Sequence, residues 1–205
     1  MNSPPAALHS AAADRNKAPI LAELQRLLPA RGRLLEIAAG TGQHAVHCAA
    51  GLPLWTWQPT DPAADALASI AAWSAQFPSP GLQPPLQLDV LSEPWPLPAE
   101  PAWDAVYCAN LLHIAPWACC SALMRCAARW LSPDGLLILY GPFLVQGEAT
   151  APGNRAFDAD LRARDPRWGV RWLHDVAAEA AAAGLALRER VAMPANNLLL
   201  VFARP

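Results

Sequence analysis

Two closely spaced glycines follow an apolar run that contains one acidic residue. The run covers residues 34–37 and includes Glu36, and Gly40 and Gly42 come shortly after it. Glycines at such a turn let the backbone bend sharply and let a ligand approach without an intervening Cβ atom, while a helix that begins there offers free N–H groups to an anion. A buried, unpaired carboxylate is costly, so Glu36 requires a compensating partner. The segment therefore predicts a ligand that carries both an ammonium and a carboxylate group.

Three interpretations of this segment are open on its residues alone. The glycine spacing, with Ala45 as a third small residue, also satisfies the dinucleotide-binding fingerprint. A pyrophosphate would repel the Glu36 carboxylate, however, whereas the methionyl ammonium of S-adenosylmethionine would pair with it. Glu36 could instead bond to a local backbone group, or to Arg15 or Lys17. Its charge favours S-adenosylmethionine as the cofactor.

Two further acidic residues close the next two predicted strands. Asp61 follows Gly42 by about 20 residues, the spacing expected of an acid that reaches ribose hydroxyl groups. Asp89 closes the third strand, where its carboxylate could accept a hydrogen bond from an adenine amino group. Either residue could also cap a turn or helix, since aspartate is common there. Three acids at consecutive strand ends favour a nucleoside-containing ligand.

Strands and helices alternate along most of the chain. The apolar pattern predicts strands at 33–37, 54–60, 86–90, 103–109 and 135–140, and helices at 17–28, 43–50, 63–76 and 117–131. This alternation is typical of βαβ units, which build a parallel sheet covered by helices on both faces. Such a sheet would bring the carboxyl ends of its strands, and the acids that follow them, to one edge.

The pattern changes in the last third of the chain. Residues 143–171 are polar and rich in charges, and we expect a lid-like insertion there. A helix is predicted at 172–183, followed by two strands, 185–193 and 197–203, that must pair antiparallel because only a tight turn joins them. Residues 14–205 are thus predicted to form one domain, preceded by a disordered extension over residues 1–13.

With these residues in place, the chain resembles the class I S-adenosylmethionine-dependent methyltransferases. The segment 36–42 is similar to their first motif, although Ala38 stands where glycine is frequent, and Asp61 and Asp89 are similar to their second and third motifs. The resemblance implies an α/β, Rossmann-like, doubly wound sheet of seven strands in the order 3-2-1-4-5-7-6. This sheet would be mostly parallel and end in an antiparallel C-terminal hairpin.

Five segments resemble more closely an uncharacterised methyltransferase-like family that is catalogued as a domain of unknown function. They are residues 14–17, 40–44, 110–117, 154–169 and 193–197. This resemblance implies a methyltransferase domain and supplies no substrate.

Methyl transfer is an in-line displacement, so the protein mainly aligns the reacting groups and excludes water. The resemblance places Asn110 and His113, which follow the fourth strand, near the methyl group. We expect Asn110 to contact the cofactor, and His113 is a candidate general base because of its ordinary pKa near 6.5. His113 could equally cap the next helix or bond to a carbonyl group. No Asn-Pro-Pro-aromatic motif follows this strand, which disfavours methylation of amide or adenine nitrogens by that route.

Arginines and aspartates alternate in the segment 154–171. Arg155 and Arg171 are candidates for binding a carboxylate or phosphate of the substrate, since a guanidinium group can grip such groups through two hydrogen bonds. In the alternative interpretation, the charges of this segment pair with one another on a helix surface.

Composition limits the remaining possibilities. The 205 residues are 54% hydrophobic and carry a net charge of -2, so no general nucleic-acid or membrane binding is expected. The five cysteines have no zinc-site spacing and no secretory leader pattern is present, which predicts a metal-free cytoplasmic protein. We therefore predict an S-adenosylmethionine-dependent methyltransferase for a small or locally recognised substrate. The alternatives are a non-catalytic S-adenosylmethionine-binding adaptor and a nicotinamide-dependent oxidoreductase.

Overall fold

Seven strands form one sheet in the computed structural model, which describes residues 6–93, 95–97 and 103–205. They are β1 (Gly32–Ile37), β2 (Trp55–Asp61), β3 (Leu86–Gln87), β4 (Trp103–Ala109), β5 (Leu131–Gly141), β8 (Ala186–Met193) and β9 (Asn197–Ala203). Their order in the sheet is β3-β2-β1-β4-β5-β9-β8. The strand β9 runs antiparallel to both β5 and β8, and the other neighbouring strands pair parallel. The predicted fold class and strand order are confirmed.

Helices cover both faces of the sheet. They are α1 (Ala11–Leu27), α2 (Gln43–Gly51), α3 (Ala64–Gln76), α4 (Ala118–Trp130), α5 (Pro152–Arg164) and α6 (Leu173–Ala182). On one face, Ile20 and Leu24 of α1 pack with Ala49 of α2 against the strands. On the other face, Leu123 of α4 and Val176 of α6 belong to a second apolar cluster. Burial on both faces explains why the central strands are almost continuously apolar.

The third strand is shorter than its sequence pattern predicted. Only Leu86 and Gln87 pair with β2, because Asp89 already belongs to a turn in which its carbonyl oxygen accepts a hydrogen bond from the Ser92 amide at 3.0 Å. Asp89 therefore lies on an exposed turn beyond the strand rather than at its last residue.

The polar segment 143–171 contains regular structure. Two short strands, β6 (Phe143–Leu144) and β7 (Arg171–Trp172), pair parallel and bracket the helix α5. Because the ends of the segment are paired, α5 is held beside the ligand edge of the main sheet.

The first helix begins earlier than expected. Ser10 caps α1 by accepting a hydrogen bond from the Ala13 amide at 3.3 Å, and the Leu8 amide donates to the Ser69 hydroxyl at 2.8 Å. These contacts correct the expectation of a disordered extension for residues 8–13, while residues 1–5 lie outside the described residues.

No helix within the described ranges is long and apolar enough to cross a membrane. In the same ranges, no group of three or more His, Cys, Asp or Glu side chains is placed to hold a metal ion.

Candidate functional site

The two predicted glycines of the turn after β1 have different surroundings. Both adopt a positive φ, 57° at Gly40 and 88° at Gly42. A Cβ atom on Gly40 would meet nothing within 4 Å, whereas one on Gly42 would lie 2.8 Å from the Ile70 Cα atom in α3. Gly40 therefore leaves open space for a ligand. Gly42 permits the close approach of α3, so its lack of a side chain is required for packing.

The helix α2 begins at this turn without a side-chain cap. Gly42 occupies the N-cap position, and no side chain within the described ranges accepts from the first amides of the helix. Uncapped N–H groups at a helix N-terminus attract anions, helped by the helix dipole. The start of α2 can thus receive a ligand carboxylate.

Glu36 is 1% exposed, and the Trp57 indole Nε1 donates a hydrogen bond to its Oε2 atom at 2.7 Å. Burial raises the pKa of Glu36 to about 7; the Trp57 hydrogen bond opposes this shift and the charge of Asp61 adds to it. Neither Arg15 nor Lys17 pairs with Glu36 in the part of the chain that the structure describes. The compensating group is therefore the indole, and no cation of the described chain neutralises the buried carboxylate.

Asp61 joins the end of β2 to the glycine turn. Its Oδ2 atom accepts from the Gly40 amide at 2.9 Å and its Oδ1 atom from the Ala63 amide at 3.0 Å. Burial raises the pKa of Asp61, and these two hydrogen bonds act in the opposite direction. Since an ionised carboxylate offers about four acceptor positions, two remain for other groups. Asp61 thus shapes the turn and keeps capacity for a ligand hydroxyl.

One cavity of about 320 Å³, called here the Asp89 cavity, lies beyond the ends of β1, β2 and β4. Its lining includes Ala38 after β1, Pro62 after β2, Leu111 after β4 and Asp89 itself. The Asp89 Oδ1 atom accepts from the Leu91 amide at 2.9 Å. The strand order reverses beside β1, and open α/β sheets bind ligands at such a switch point.

A second cavity of about 550 Å³, called here the His113 cavity, lies at the same edge of the sheet. Asn16 of α1, Asn110 and His113 after β4, and Phe157 of α5 contribute to its lining. His113 is 6% exposed, and its ring lies edge-to-face with Phe157 at 5.4 Å between centroids. Burial lowers the pKa of His113 to about 4, with a smaller effect from the Arg171 charge. The imidazole is therefore neutral at neutral pH.

The segment 110–116 separates these two cavities. Asn110 and His113 line the His113 cavity, whereas Leu111 and Ile114 line the Asp89 cavity. The segment is thus a wall that the two cavities share. A cofactor in one cavity and an acceptor in the other would both lie against it.

Left-handed backbone conformations occur at these same positions. Within the described ranges, the non-glycine residues with positive φ are Ala38 (55°), Asn110 (62°), Ala195 (58°) and Asn196 (57°). Ala38 lines the Asp89 cavity, and the other three line the His113 cavity. Such conformations cost about 1–2 kcal/mol for an L-residue and persist only where the surroundings impose them.

The arginines predicted to bind substrate have structural contacts. The Arg171 guanidinium donates to the carbonyl oxygens of Leu112 at 2.9 Å, Ala115 at 2.8 Å and Arg167 at 2.7 Å. It therefore fastens the segment 110–116, and Arg171 is not among the residues that line either cavity. Arg155 donates to the Thr150 carbonyl oxygen at 2.6 Å and is not among the residues that line either cavity.

The other charges of this segment form local ion pairs, as the alternative interpretation proposed. The pairs are Arg162–Asp158 at 2.9 Å, Arg164–Asp160 at 3.9 Å and Arg167–Asp165 at 2.7 Å. In and beside this segment, Gly153, Asn154 and Phe157 line the His113 cavity, and Asp165, Arg167 and Trp168 line the Asp89 cavity.

Sequence reasoning missed several residues of the His113 cavity. Arg15 and Asn16 come from α1, Asn196 comes from the turn between β8 and β9, and Asn197 is the first residue of β9. All four belong to segments that carry the closer family resemblance, and this resemblance could have identified them as candidates. The resemblance did not show that residues so far apart in the chain line one cavity.

A sequence model of the family described as "Protein of unknown function (DUF938)" matches residues 7–204. The match therefore includes every strand and helix described above.

Solved methyltransferase structures share the fold at low sequence identity. The mitomycin 7-O-methyltransferase MmcR matches 95% of this chain and 54% of its own, with a TM-score of 0.80 and 14% identity. CalO1, a methyltransferase in calicheamicin biosynthesis with SAH bound, matches 95% and 55%, with a TM-score of 0.76 and 17% identity. Human N-acetylserotonin methyltransferase in complex with SAM matches 94% and 52%, with a TM-score of 0.74 and 16% identity. The chain spans about half the length of these proteins.

Proposed function

The chain belongs to the family described as protein of unknown function (DUF938), and we propose that it transfers a methyl group from S-adenosylmethionine to a small acceptor. The observation that carries the proposal is the pair of cavities divided by the segment 110–116 at the ligand edge of the sheet. The fold shared with methyltransferases supports it.

The chain offers a group suited to each polar part of the cofactor; Asp89 lines the cavity named after it, whereas Glu36 and Asp61 are buried beside the turn after β1 and line neither cavity. Glu36 offers a buried carboxylate without a cationic partner among the described residues, and the uncapped start of α2 offers N–H groups to a carboxylate. Asp61 retains acceptor positions for ribose hydroxyl groups, and Asp89 can accept from an adenine amino group in its cavity. Asn110 would face the methyl group from the segment between the cavities. When bound, the cofactor supplies a methyl group activated by a sulfonium.

In this proposal, His113 receives a proton from the acceptor. It lines the His113 cavity and is held neutral by burial, so a ring nitrogen is free to act as a general base. His113 would accept the acceptor's proton as the bond between the acceptor and the methyl carbon forms and the bond from that carbon to sulfur breaks.

Calorimetric titration with S-adenosylmethionine, S-adenosylhomocysteine and NAD, carried out side by side, tests the cofactor. We expect S-adenosylmethionine and S-adenosylhomocysteine to bind, and we expect Asp89→Ala to lower the affinity for both. Asp160→Ala is the matched control because Asp160 is exposed on α5 and outside both cavities. Tighter binding of NAD would refute the assignment and support an oxidoreductase.

A second measurement separates an enzyme from a binding adaptor. We expect His113→Gln to retain S-adenosylhomocysteine affinity and lose turnover by a factor of about 10²–10⁴, the usual contribution of a general base. Cofactor binding without methyl transfer to any small hydroxylated acceptor by the unmutated protein would support the adaptor.

A further inference from the structure

The His113 cavity is lined by one cationic side chain and no acidic one. Among the described residues that line it, Arg15 is the only group charged at neutral pH, because burial keeps His113 uncharged. The remaining polar lining consists mostly of asparagine carboxamides, including Asn110, Asn154 and Asn196. The cavity thus has a net positive charge, unlike the chain as a whole, which carries -2.

The Arg15 guanidinium has no acidic partner among the residues that the structure describes. Its sequence neighbour Asp14 forms an ion pair with Lys17, and His9 lies 3.9 Å from the same carboxylate. Arg15 makes no hydrogen bond or ion pair with the described residues. A guanidinium group has five N–H donors in a planar fork that matches a carboxylate or phosphate. An anion entering the cavity would find these donors free.

The lining of this cavity also includes an aromatic ring and a proline. Phe157 is 37% exposed, and its ring lies edge-to-face with the His113 ring at 5.4 Å. Pro142 adds an apolar surface after β5. The cavity of about 550 Å³ is within the range of roughly 300–1,000 Å³ that small-molecule sites occupy. A single aromatic ring with its substituents would fill part of it and contact Phe157.

We propose that the methyl acceptor is a small hydroxylated aromatic molecule that bears a carboxylate or a phosphate, which Arg15 binds. Its ring packs against Phe157, and its hydroxyl group faces His113. Asparagine side chains, which both donate and accept, satisfy the other polar substituents. The role of this molecule as acceptor rests on the proposed function, whereas anion binding by the cavity does not.

Three probes of matched shape test the proposal on the protein loaded with S-adenosylhomocysteine. They are 4-hydroxybenzoate, 4-hydroxyphenyl phosphate and the neutral 4-hydroxybenzamide, each followed by NMR titration. We expect at least one anion to bind about tenfold more tightly than the amide, and the comparison of the two anions distinguishes a carboxylate from a phosphate acceptor. A tenfold preference corresponds to about 1.4 kcal/mol, a modest value for a charge-assisted hydrogen bond.

Arg15→Gln should abolish this preference and leave S-adenosylhomocysteine affinity within about twofold. Arg125→Gln is the matched control, because it removes the same charge from an exposed site on α4 that lines neither cavity. The proposal is overturned if no probe binds, if the anions bind no more tightly than the amide, or if Arg15→Gln keeps the preference.

The same experiment distinguishes this inference from the proposed function. If S-adenosylhomocysteine does not bind, the proposed function fails, and the titration is read on the unloaded protein. An Arg15-dependent preference for the anions there would retain the anion site and remove only its role as an acceptor site. Loss of the preference while S-adenosylhomocysteine binds would overturn the inference and leave the proposed function intact.

Discussion

Glu36→Gln should change the pH dependence of stability. The Trp57 indole donates to the Oε2 atom of Glu36 at 2.7 Å, and the amide oxygen of glutamine can accept the same hydrogen bond. The substitution preserves the shape of the side chain and removes its ionisation. Any constant cost of the buried amide group is present at every pH, so the variation with pH reports the charge of Glu36 alone.

The size and sign of the effect follow from the pKa of Glu36. Burial raises it from 4.5 to about 7, and one pKa unit is worth about 1.4 kcal/mol. Between these values the folded chain holds a proton that the unfolded chain has released, so the stability of the unmutated protein falls as pH rises. The loss begins near pH 4.5, is complete above about pH 7 and amounts to about 3 kcal/mol.

Urea unfolding of both proteins at about pH 5 and about pH 8 measures this loss. We expect the stability of the unmutated protein relative to Glu36→Gln to fall by at least about 2 kcal/mol between the two conditions. Glu93→Gln makes the same chemical change on an exposed side chain, and its difference should stay within about 0.5 kcal/mol. A difference for Glu36→Gln that is equal at both pH values would refute the reasoning.

Three further outcomes are expected. Asp61→Ala should lower the free energy of unfolding by about 1–3 kcal/mol, because two backbone amides lose their acceptor. Titration with adenosine and with methionine should show that the same variant binds adenosine more weakly and methionine equally well. Arg171→Ala should lower the free energy of unfolding by about 2 kcal/mol or more, because three carbonyl oxygens lose their donor. Arg155→Ala should lower it by less than about 0.5 kcal/mol. Chemical denaturation measures both values, and equal losses would contradict this expectation. S-adenosylhomocysteine should slow amide exchange in α5 and in the glycine turn, and unchanged exchange in α5 would exclude a lid.

The sheet could be predicted because its information is local in the sequence. Apolar runs and alternating helices specify parallel strands, and the short connection at Pro194 permits only an antiparallel hairpin. The end of β3 was misplaced because Leu88 and Val90 are buried and apolar although they lie beyond the ladder. Burial and strand pairing are different properties, and an apolar pattern reports only the first.

The candidate site could be predicted only in part. The acids Glu36, Asp61 and Asp89 could be proposed because each follows or lies within a strand, where a charged residue is unusual. Asn110 and His113 were predicted, but the rest of the lining of the His113 cavity was missed because it joins α1, α5 and the turn before β9, which meet only in the folded chain. Likewise, the contacts of Arg171 are with carbonyl oxygens of distant residues, and no sequence pattern identifies a backbone acceptor.

The residues with left-handed backbone conformations at the two cavities lower the stability of the fold and pre-form the ligand sites. At about 1–2 kcal/mol each, the four conformations are a considerable fraction of the roughly 5–15 kcal/mol that separates a folded domain from its unfolded chain. A laboratory evolution experiment that selects only for heat tolerance should therefore return glycine at Ala38 and Ala195, far more often than at exposed helix positions. Populations selected for methyl transfer at moderate temperature should keep Ala38 and Ala195. A cavity lining whose backbone is already fixed loses less conformational entropy when the ligand binds.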